Sequence, residues 1–248
     1  MNISEIFNGN TLIPECIHIT NIGVIIKTNQ EGLDLKDIFD NVETSNKNIQ
    51  LAKYKSEIKY ADKVSRCNTN IINKYNKLKT ANKSISHFHN MICLFFDTHN
   101  IRLFKNGTLH ITGKNNSLII CDKVNTVINL LKKYNDDVQI LSGNIINICY
   151  NIKLNGSNAQ IRENLKSAGY TINDSFGPFK FIKHNDNKVN IFNNGIGSFG
   201  FKSFEDIINF YNKIKNYVDV DKNRKCNDND NNDNNDDNDD EFLFEIDI

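Results

Sequence analysis

The sequence is poor in several residues that mark particular classes of protein. Its 248 residues include no Trp, two Pro and six Cys. The cysteines form no Cys-x-x-Cys pair and no Cys/His spacing of a zinc site, so we expect neither zinc nor a disulfide framework. Its apolar stretches fall short of the ~18 residues that a membrane helix needs, and its N-terminus lacks a basic region followed by an apolar run. We therefore expect an intracellular protein with reduced thiols and no membrane association.

Motifs of common enzyme classes are also missing. The six His include no His-Glu-x-x-His arrangement, and neither Gly-x-Ser-x-Gly nor a P-loop occurs. A Gly-x-Gly-x-x-Gly string at Gly195–Gly200 lies in a predicted hairpin, where turn glycines explain it better than nucleotide binding. We expect no catalytic residue, metal, cofactor or small-molecule substrate.

The formal net charge of zero hides two charged regions of opposite sign. Residues 227–248 contain no base and ten acids: Asp228, Asp230, Asp233, Asp236, Asp237, Asp239, Asp240, Glu241, Glu245 and Asp247. Residues 1–226 therefore hold 30 bases and 20 acids (30 − 10), a net charge of +10. This asymmetry is typical of a protein that binds nucleic acid or masks its own basic surface. The alternative is a solubilising tail on an ordinary Lys-rich protein.

The order of predicted elements occurs twice. Each half has a β-rich stretch, a short helix, three strands and a long amphipathic helix. In the first half these are Cys16–Lys27, Leu33–Val42, Phe88–Phe96, Ile101–Phe104, Thr108–Thr112 and Ser117–Tyr134. In the second half they are Val138–Leu154, Asn158–Ala168, Phe179–Lys183, Lys188–Phe192, Ile196–Lys202 and a helix that begins at Ser203, with Asp206 placed for a capping box.

The strongest internal similarity is a Phe followed by a turn. "FKNG" (Phe104–Gly107) and "FNNG" (Phe192–Gly195) place their Phe residues 88 positions apart (192 − 104). A unit of about 90 residues is too long for a solenoid repeat and indicates a duplicated domain with pseudo-twofold symmetry. Two antiparallel sheets joined edge to edge, with all helices on one side, leave the other side open. Function is expected on that open side.

These stretches resemble the TATA-box-binding protein (TBP) family, whose core is a saddle of two imperfect repeats. The similarity rests on the order of several short motifs, which occur twice between about residues 16 and 218: "TNIGVII" (Thr20–Ile26), "LDLKDI" (Leu33–Ile38), "FHNMICLFF" (Phe88–Phe96), "LFKNGTLHITG" (Leu103–Gly113), "FGPFKFIK" (Phe176–Lys183) and "IFNNGIGSFG" (Ile191–Gly200). The resemblance implies an α/β (α+β) saddle with a curved antiparallel sheet and helices on its convex side. The Asn-rich composition and the acidic tail suggest a divergent version, such as that of a large DNA virus.

The resemblance also implies a DNA-binding site. Four Phe match its wedge positions, with equal spacing within each half (104 − 88 and 192 − 176): Phe88, Phe104, Phe176 and Phe192. Wedges of this kind unstack base steps and bend the duplex toward the major groove. Asn21 matches a central Asn that donates to A·T acceptors in the minor groove, and its second-half counterpart is Asn147 or Asn144, depending on a gap. Thr112 also matches the family pattern. The alternative for any one Phe is an ordinary core residue.

Several family bases are absent from this sequence. Leu94, Thr108 and Ile196 stand where a basic residue is usual, and His87 precedes Phe88. Phosphate contacts supply most sequence-independent affinity, so we expect Lys114, Lys180, Lys183 and Lys202 to substitute. The alternative is a TBP-like adaptor that binds proteins and little or no DNA.

The remaining expectations concern organisation and partners. We predict an N-terminal segment (1–15), a first repeat (16–134) with an insertion at about 43–83, a second repeat (135–218) and an acidic disordered tail (219–248). The insertion is expected to be a solvated polar loop with one or two polar helices, such as Ile49–Ala61. The alternative is that its many Lys add phosphate contacts. The tail, which ends in "EFLFEIDI", either folds back on the basic saddle through Phe242 and Phe244 or docks on another protein.

The expected partners are double-stranded A/T-rich DNA and, through the convex helices, general transcription factors or RNA polymerase subunits. The expected location is the host nucleus or a cytoplasmic viral factory, with packaging in the virion as a further option.

Overall fold

Strands and helices follow one another in the same order in both halves of the chain, except that the first half contains one additional strand and one additional helix. The computed structural model describes residues 3–7, 13–83, 90–176, 179–184, 187–192 and 195–220. The first half contains β1 (Ile17–Thr28), α1 (Leu35–Asp40), β2 (Leu51–Tyr54), β3 (Glu57–Tyr60), α2 (Arg66–Thr80), β4 (Met91–Phe95), β5 (His99–Phe104), β6 (Thr108–Gly113) and α3 (Ser117–Lys132). The second contains β7 (Ile140–Lys153), α4 (Asn158–Ser167), β8 (Ile172–Phe176), β9 (Phe179–His184), β10 (Asn187–Phe192), β11 (Gly195–Phe201) and α5 (Phe204–Ile214). A 3₁₀ turn, Ile3–Phe7, precedes β1.

All strands of the described residues belong to one antiparallel sheet. Their order is β3-β2-β4-β5-β6-β1-β7-β11-β10-β9-β8. The first-half order β2-β4-β5-β6-β1 is mirrored by the second-half order β8-β9-β10-β11-β7, and the halves join through β1 and β7. The predicted saddle of two pseudo-symmetric repeats, with a curved antiparallel sheet and helices on its convex side, is confirmed.

The register between β1 and β7 locates the pseudo-twofold axis. Ile22 pairs with Ile148, and a shift of 126 positions (148 − 22) exchanges these two residues. The same shift converts four pairs on one side of this pair into four on the other side. The matched pairs are Asn21–Cys149 with Gly23–Asn147, Ile19–Tyr150 with Val24–Ile145, His18–Asn151 with Ile25–Asn144, and Ile17–Ile152 with Ile26–Gly143. The axis therefore passes through the Ile22–Ile148 pair.

The core lies on the helix side of the sheet. Alternate strand residues such as Ile22, Val24 and Ile26 are fully buried and form one cluster with the apolar faces of α1, α3, α4 and α5. Each of these helices has a polar N-cap, as expected for groups that satisfy the first free N–H donors. At α5 the Ser203 hydroxyl accepts from the Asp206 N–H at 3.1 Å, as the capping prediction requires.

The prediction of a helix at Ile49–Ala61 is wrong, because these residues form the β2–β3 hairpin. Lys55 adopts a positive φ of 49° at the turn, and β2 pairs with β4, so it extends the sheet. Leu51, Ala52 and Tyr54 are buried, which shows that this part of the segment contributes to the packed structure. β2 corresponds to β8 by its place in the sheet, whereas β3 and α2 have no counterpart between β8 and β9 in the described chain.

Candidate functional site

One surface of the sheet is left uncovered by helices in the part of the chain that the structure describes. We call it the open face. It carries the strand residues that alternate with core residues: Asn21, Gly23, Ile25 and Lys27 on β1; Arg102 and Phe104 on β5; Thr108, His110 and Thr112 on β6; Asn147, Cys149, Asn151 and Lys153 on β7; and Asn190 and Phe192 on β10. The open face therefore combines amides, hydroxyls, bases and two aromatic rings.

The electrostatic character of the open face follows from the acids it lacks. Within their described bounds, the seven central strands, from β4 through β5, β6, β1, β7 and β11 to β10, contain no Asp or Glu. The described helices, in contrast, all carry acids except α2. Because clefts and concave surfaces concentrate the field of their own charges, this face favours a polyanionic ligand.

Phe104 lies at the end of β5 and projects from the open face. Its ring is half-buried and packs on the His110 ring, with 4.7 Å between centroids and an interplanar angle of 58°. The following turn needs a glycine, because Gly107 has φ of 72° and an added β-carbon would collide with the Gln30 carbonyl oxygen. The Gly107 N–H closes this turn on the Phe104 carbonyl at 2.9 Å. The turn thereby fixes the position of the ring.

Phe192 occupies the equivalent place in the second half. Its side chain is 37% exposed, and its Cε2 atom would lie 2.9 Å from a β-carbon added at Gly197. His110 pairs with Ile25, and Gly197 pairs with Asn151. Ile25 and Asn151 are related by the 126-residue shift (151 − 25), so the two Phe rings lie over twofold-equivalent residues.

Asn21 and Asn147 flank the axis on the open face. The 126-residue shift relates them (147 − 21), whereas Asn144 lies opposite Ile25, so the register identifies Asn147 as the counterpart of Asn21. The Asn21 Oδ1 accepts from the Gly113 N–H at 3.0 Å. The amide nitrogen of Asn21 is therefore directed away from Gly113. The Asn147 amide lies 3.5 Å from the Cys149 Sγ, and its oxygen has no hydrogen-bond partner among the described residues.

One histidine and one cysteine on this face are held neutral. Burial, and next the charge of Arg102, lowers the pKa of His110, so its imidazole is uncharged at pH 7. Burial raises the pKa of the Cys149 thiol, and the Asn147 contact opposes this only partly. The positive charge of the open face therefore comes from its Lys and Arg side chains.

Three further predicted residues lie on a strand or directly after one: Thr112, Lys114 and Lys202. Thr112 is half-buried on β6 and pairs with Gly23. Lys114 and Lys202 are exposed, directly follow β6 and β11, and stand 88 positions apart (202 − 114).

Four predicted contact residues fall wholly or partly outside the described residues. Phe88 is outside them. Phe176 ends β8 opposite Phe179, and Lys180 lies on β9 opposite the buried Ile191. The side chains of Phe176, Lys180 and Lys183 are likewise outside the description.

Sequence reasoning missed a second symmetric pair of bases. Lys27 lies between buried Ile26 and Thr28, and Lys153 lies between buried Ile152 and Leu154, so both project from the open face. The 126-residue shift relates them (153 − 27), and each lies next to the strand that follows its hairpin turn. A Lys that interrupts an apolar strand pattern is the signal that would have revealed them.

These features define a saddle fold of the TATA-box-binding-protein type. Comparison with solved structures agrees with this assignment of the fold. The chain is similar to a structure described as Methanococcus jannaschii TBP, with a TM-score of 0.53 and 17% identity over 81% of this chain and 97% of that one. No family model matches the sequence, and no curated protein matches it.

The described ranges contain neither a membrane-spanning helix nor a cluster of metal ligands. No helix there is both long and apolar enough to cross a membrane. No three or more His, Cys, Asp or Glu side chains in those ranges group together as metal ligands would.

Proposed function

We propose that the chain is a TBP-like transcription initiation factor that binds A/T-rich promoter DNA in the minor groove and recruits transcription machinery. The observation that carries the proposal is the presentation of Phe104 and Phe192 from twofold-equivalent places on the central strands, which contain no Asp or Glu within their described bounds. Two apolar wedges on one curved surface suit two kinked base steps, since a bent duplex contacts more of the concave face than a straight one.

In this proposal the side-chain amides of Asn21 and Asn147 contact the bases. The Asn21 amide nitrogen is directed away from the Gly113 N–H that its oxygen binds. A donor at this position fits the A N3 and T O2 acceptors, which are common to A·T and T·A pairs in the minor groove. The chain is therefore expected to favour A/T content over one strict sequence.

Phosphate binding is assigned to symmetric pairs of lysines. Lys27 with Lys153 and Lys114 with Lys202 replace the family bases that Leu94, Thr108 and Ile196 do not supply. Leu94 is fully buried in the core, so its position contributes no contact from the open face. Each phosphate neutralised adds about 0.9 to the slope of log K against log salt.

The convex helices are assigned to protein partners. α3 exposes Leu118 and Ile119 at its N-terminal end, with 79% and 36% of these side chains accessible. Exposed apolar residues of this kind support contacts with general transcription factors or polymerase subunits. The proposed location is the host nucleus or a viral factory. The competing function, an adaptor with weak or no DNA binding, is favoured by the same residues and by the missing family bases.

Fluorescence transfer between dyes at the two ends of an A/T-rich duplex tests the proposal. Wild-type protein should shorten the end-to-end distance, and Phe192→Ala should abolish that change and weaken binding by about tenfold, or ~1.4 kcal/mol. Tyr217→Ala is a matched control, because Tyr217 is also exposed but follows α5. An unchanged distance with wild-type protein, together with a flat salt titration, would contradict the proposal and favour the adaptor.

A further inference from the structure

We propose that the open face is also the binding surface for this chain's own acidic C-terminal segment, residues 227–248. This inference rests on the proposed function only in that both ligands would use the same surface. Three observations support it: the place where the chain leaves the described fold, the length that remains, and the charge of the two partners.

The exit point lies beside the open face. Val220 forms a β-bridge with Leu154, and the Asn155 N–H donates to the Asp219 carbonyl at 2.8 Å. Leu154 directly follows Lys153 of the open face. Lys153 pairs with Gly195, and Gly195 pairs with Phe192. Lys153, which lies next to the point where the chain leaves the fold, is therefore two strand spacings, ~10 Å, from Phe192.

The remaining chain is long enough to cross the sheet. Twenty-eight residues follow Val220 (248 − 220), and a chain of that length reaches at most ~95 Å. The eleven described strands span ~48 Å at the usual strand spacing. The segment as a whole is therefore long enough to cross the open face without a change in the fold.

Charge complementarity selects this segment over other occupants. Residues 227–248 carry ten acids and no base, whereas the seven central strands carry no acid within their described bounds. The segment ends with Phe242 and Phe244, two positions apart, which an extended backbone presents on one side. They supply apolar contacts next to the Phe192 ring, as a base step does in the proposed DNA complex.

Tethering makes even a weak contact effective. A tethered segment acts at a local concentration near ~1 mM. With an intrinsic Kd of ~0.1 mM it would lower the apparent affinity for a competing ligand about tenfold. Since the contact is ionic, it should weaken as salt rises.

Lysine acetylation followed by mass spectrometry tests the contact without DNA. The full chain is compared with a variant in which the ten acids of 227–248 become Asn or Gln. At ~50 mM salt, where the Debye length exceeds 10 Å, Lys27, Lys114 and Lys202 should be acetylated several-fold more slowly in the wild type. Lys132 and Lys213, which are exposed on α3 and α5, should react equally in both proteins.

Three results would overturn the inference. The first is equal acetylation of Lys27, Lys114 and Lys202 in both proteins. The second is protection of these lysines in high salt that is the same in a Phe242→Ser/Phe244→Ser variant as in the wild type. The third is protection that increases with protein concentration. The last would assign the surface to a second copy of the chain. Glu163→Gln with Glu205→Gln, two exposed helix acids, should change no acetylation rate.

DNA affinity provides the second arm and separates the two proposals. The neutralised variant should bind A/T-rich duplex about tenfold more tightly at low salt, and the gain should vanish at high salt. Protection of the lysines without any DNA binding would support the tail contact and refute the proposed function. DNA binding with neither protection nor a tail effect would refute the tail contact alone.

Discussion

At the scale of single residues, the two candidate wedges are equivalent in place but unequal in support. Phe104 packs on the His110 ring, whereas Phe192 lies over Gly197. Arg102 pairs with His110, and Asn190 pairs with Gly197. The first half therefore has a larger side chain, His110, beneath its Phe ring, and it adds a cation, Arg102. Under the proposed function, two unequal halves give a physical basis for one preferred direction of the duplex.

Tyr150 provides a prediction about stability at this scale. Its ring is buried and meets Phe201 edge to face at 5.4 Å, but its hydroxyl has no hydrogen-bond partner among the described residues. Burial raises the pKa of Tyr150, so the group stays neutral. Tyr150→Phe should therefore raise the free energy of unfolding by about 1 kcal/mol, because it removes an unsatisfied buried group and keeps the ring contacts.

Urea denaturation measures this change. Tyr134→Phe is the matched control: its exposed hydroxyl donates to the Asp37 carbonyl at 3.3 Å, so its removal should be neutral or slightly destabilising. A loss of stability in Tyr150→Phe would contradict the prediction and indicate that the hydroxyl is satisfied in solution.

At the scale of elements, α2 is attached to the sheet by a buried polar contact. Asn68 is 1% exposed, and its side-chain amide donates to the Gln50 Oε1 at 2.9 Å and to the Phe96 carbonyl at 3.1 Å. The Tyr75 hydroxyl donates to the Ser56 carbonyl of the β2–β3 turn. A helix that is otherwise mostly polar thus depends on a few hydrogen bonds to hold it in place.

Asn68→Ala should lower the free energy of unfolding by about 1–3 kcal/mol, because the Phe96 carbonyl loses its Asn68 donor and the Gln50 Oε1 keeps only the Ser65 N–H. Amide hydrogen exchange should then show faster exchange in α2 than in α3. Asn73→Ala, an exposed change on the same helix, should alter neither quantity. Equal exchange of α2 in Asn68→Ala and wild type would show that other contacts hold the helix.

Most elements could be predicted from sequence because their apolar periodicity is strong, as in α3 and β1. Three strands were missed, β2, β3 and β8, of which β2 and β8 are equivalent members of the two halves. β2 has four residues and includes Lys53, and β8 contains Asn173 and Asp174. These residues are poor strand formers, and the strands form because they add to an existing sheet. Periodicity within a short segment carries no record of that partner.

At the scale of the whole molecule, the twofold register makes a quantitative prediction about charge. Lys27→Gln and Lys153→Gln should each reduce the slope of log K against log salt by about 0.9, and the double variant by about twice that amount. The two changes should be equal, since the residues occupy equivalent positions beside the two hairpins. Titrations on an A/T-rich duplex measure the slopes.

Lys132→Gln and Lys213→Gln on the helix side should leave the slope unchanged. A decrease for only one of the open-face lysines would contradict a symmetric mode of binding, and a decrease for neither would favour the adaptor function.

The candidate site could be predicted in part at this scale. The equivalence of Phe104 and Phe192 was visible in the sequence because the two hairpins that contain them differ little in length. Lys27 and Lys153 were missed since their separation of 126 residues differs from the 88 of the Phe pair. The difference arises from extra residues between β2 and β4, which contain β3 and α2. Only the pairing of β1 with β7 shows that the 126-residue and 88-residue spacings both follow from the same twofold axis.

The seam between β1 and β7 has a mechanical consequence. Since β1 and β7 pair on both sides of Ile22–Ile148 with only local register shifts, we expect the two halves to move as one rigid unit. A partner that docks on it must adapt its own curvature. Separation of the halves would leave the twelve residues of β1 as an open edge that recruits foreign strands, so neither half is suited to exist alone.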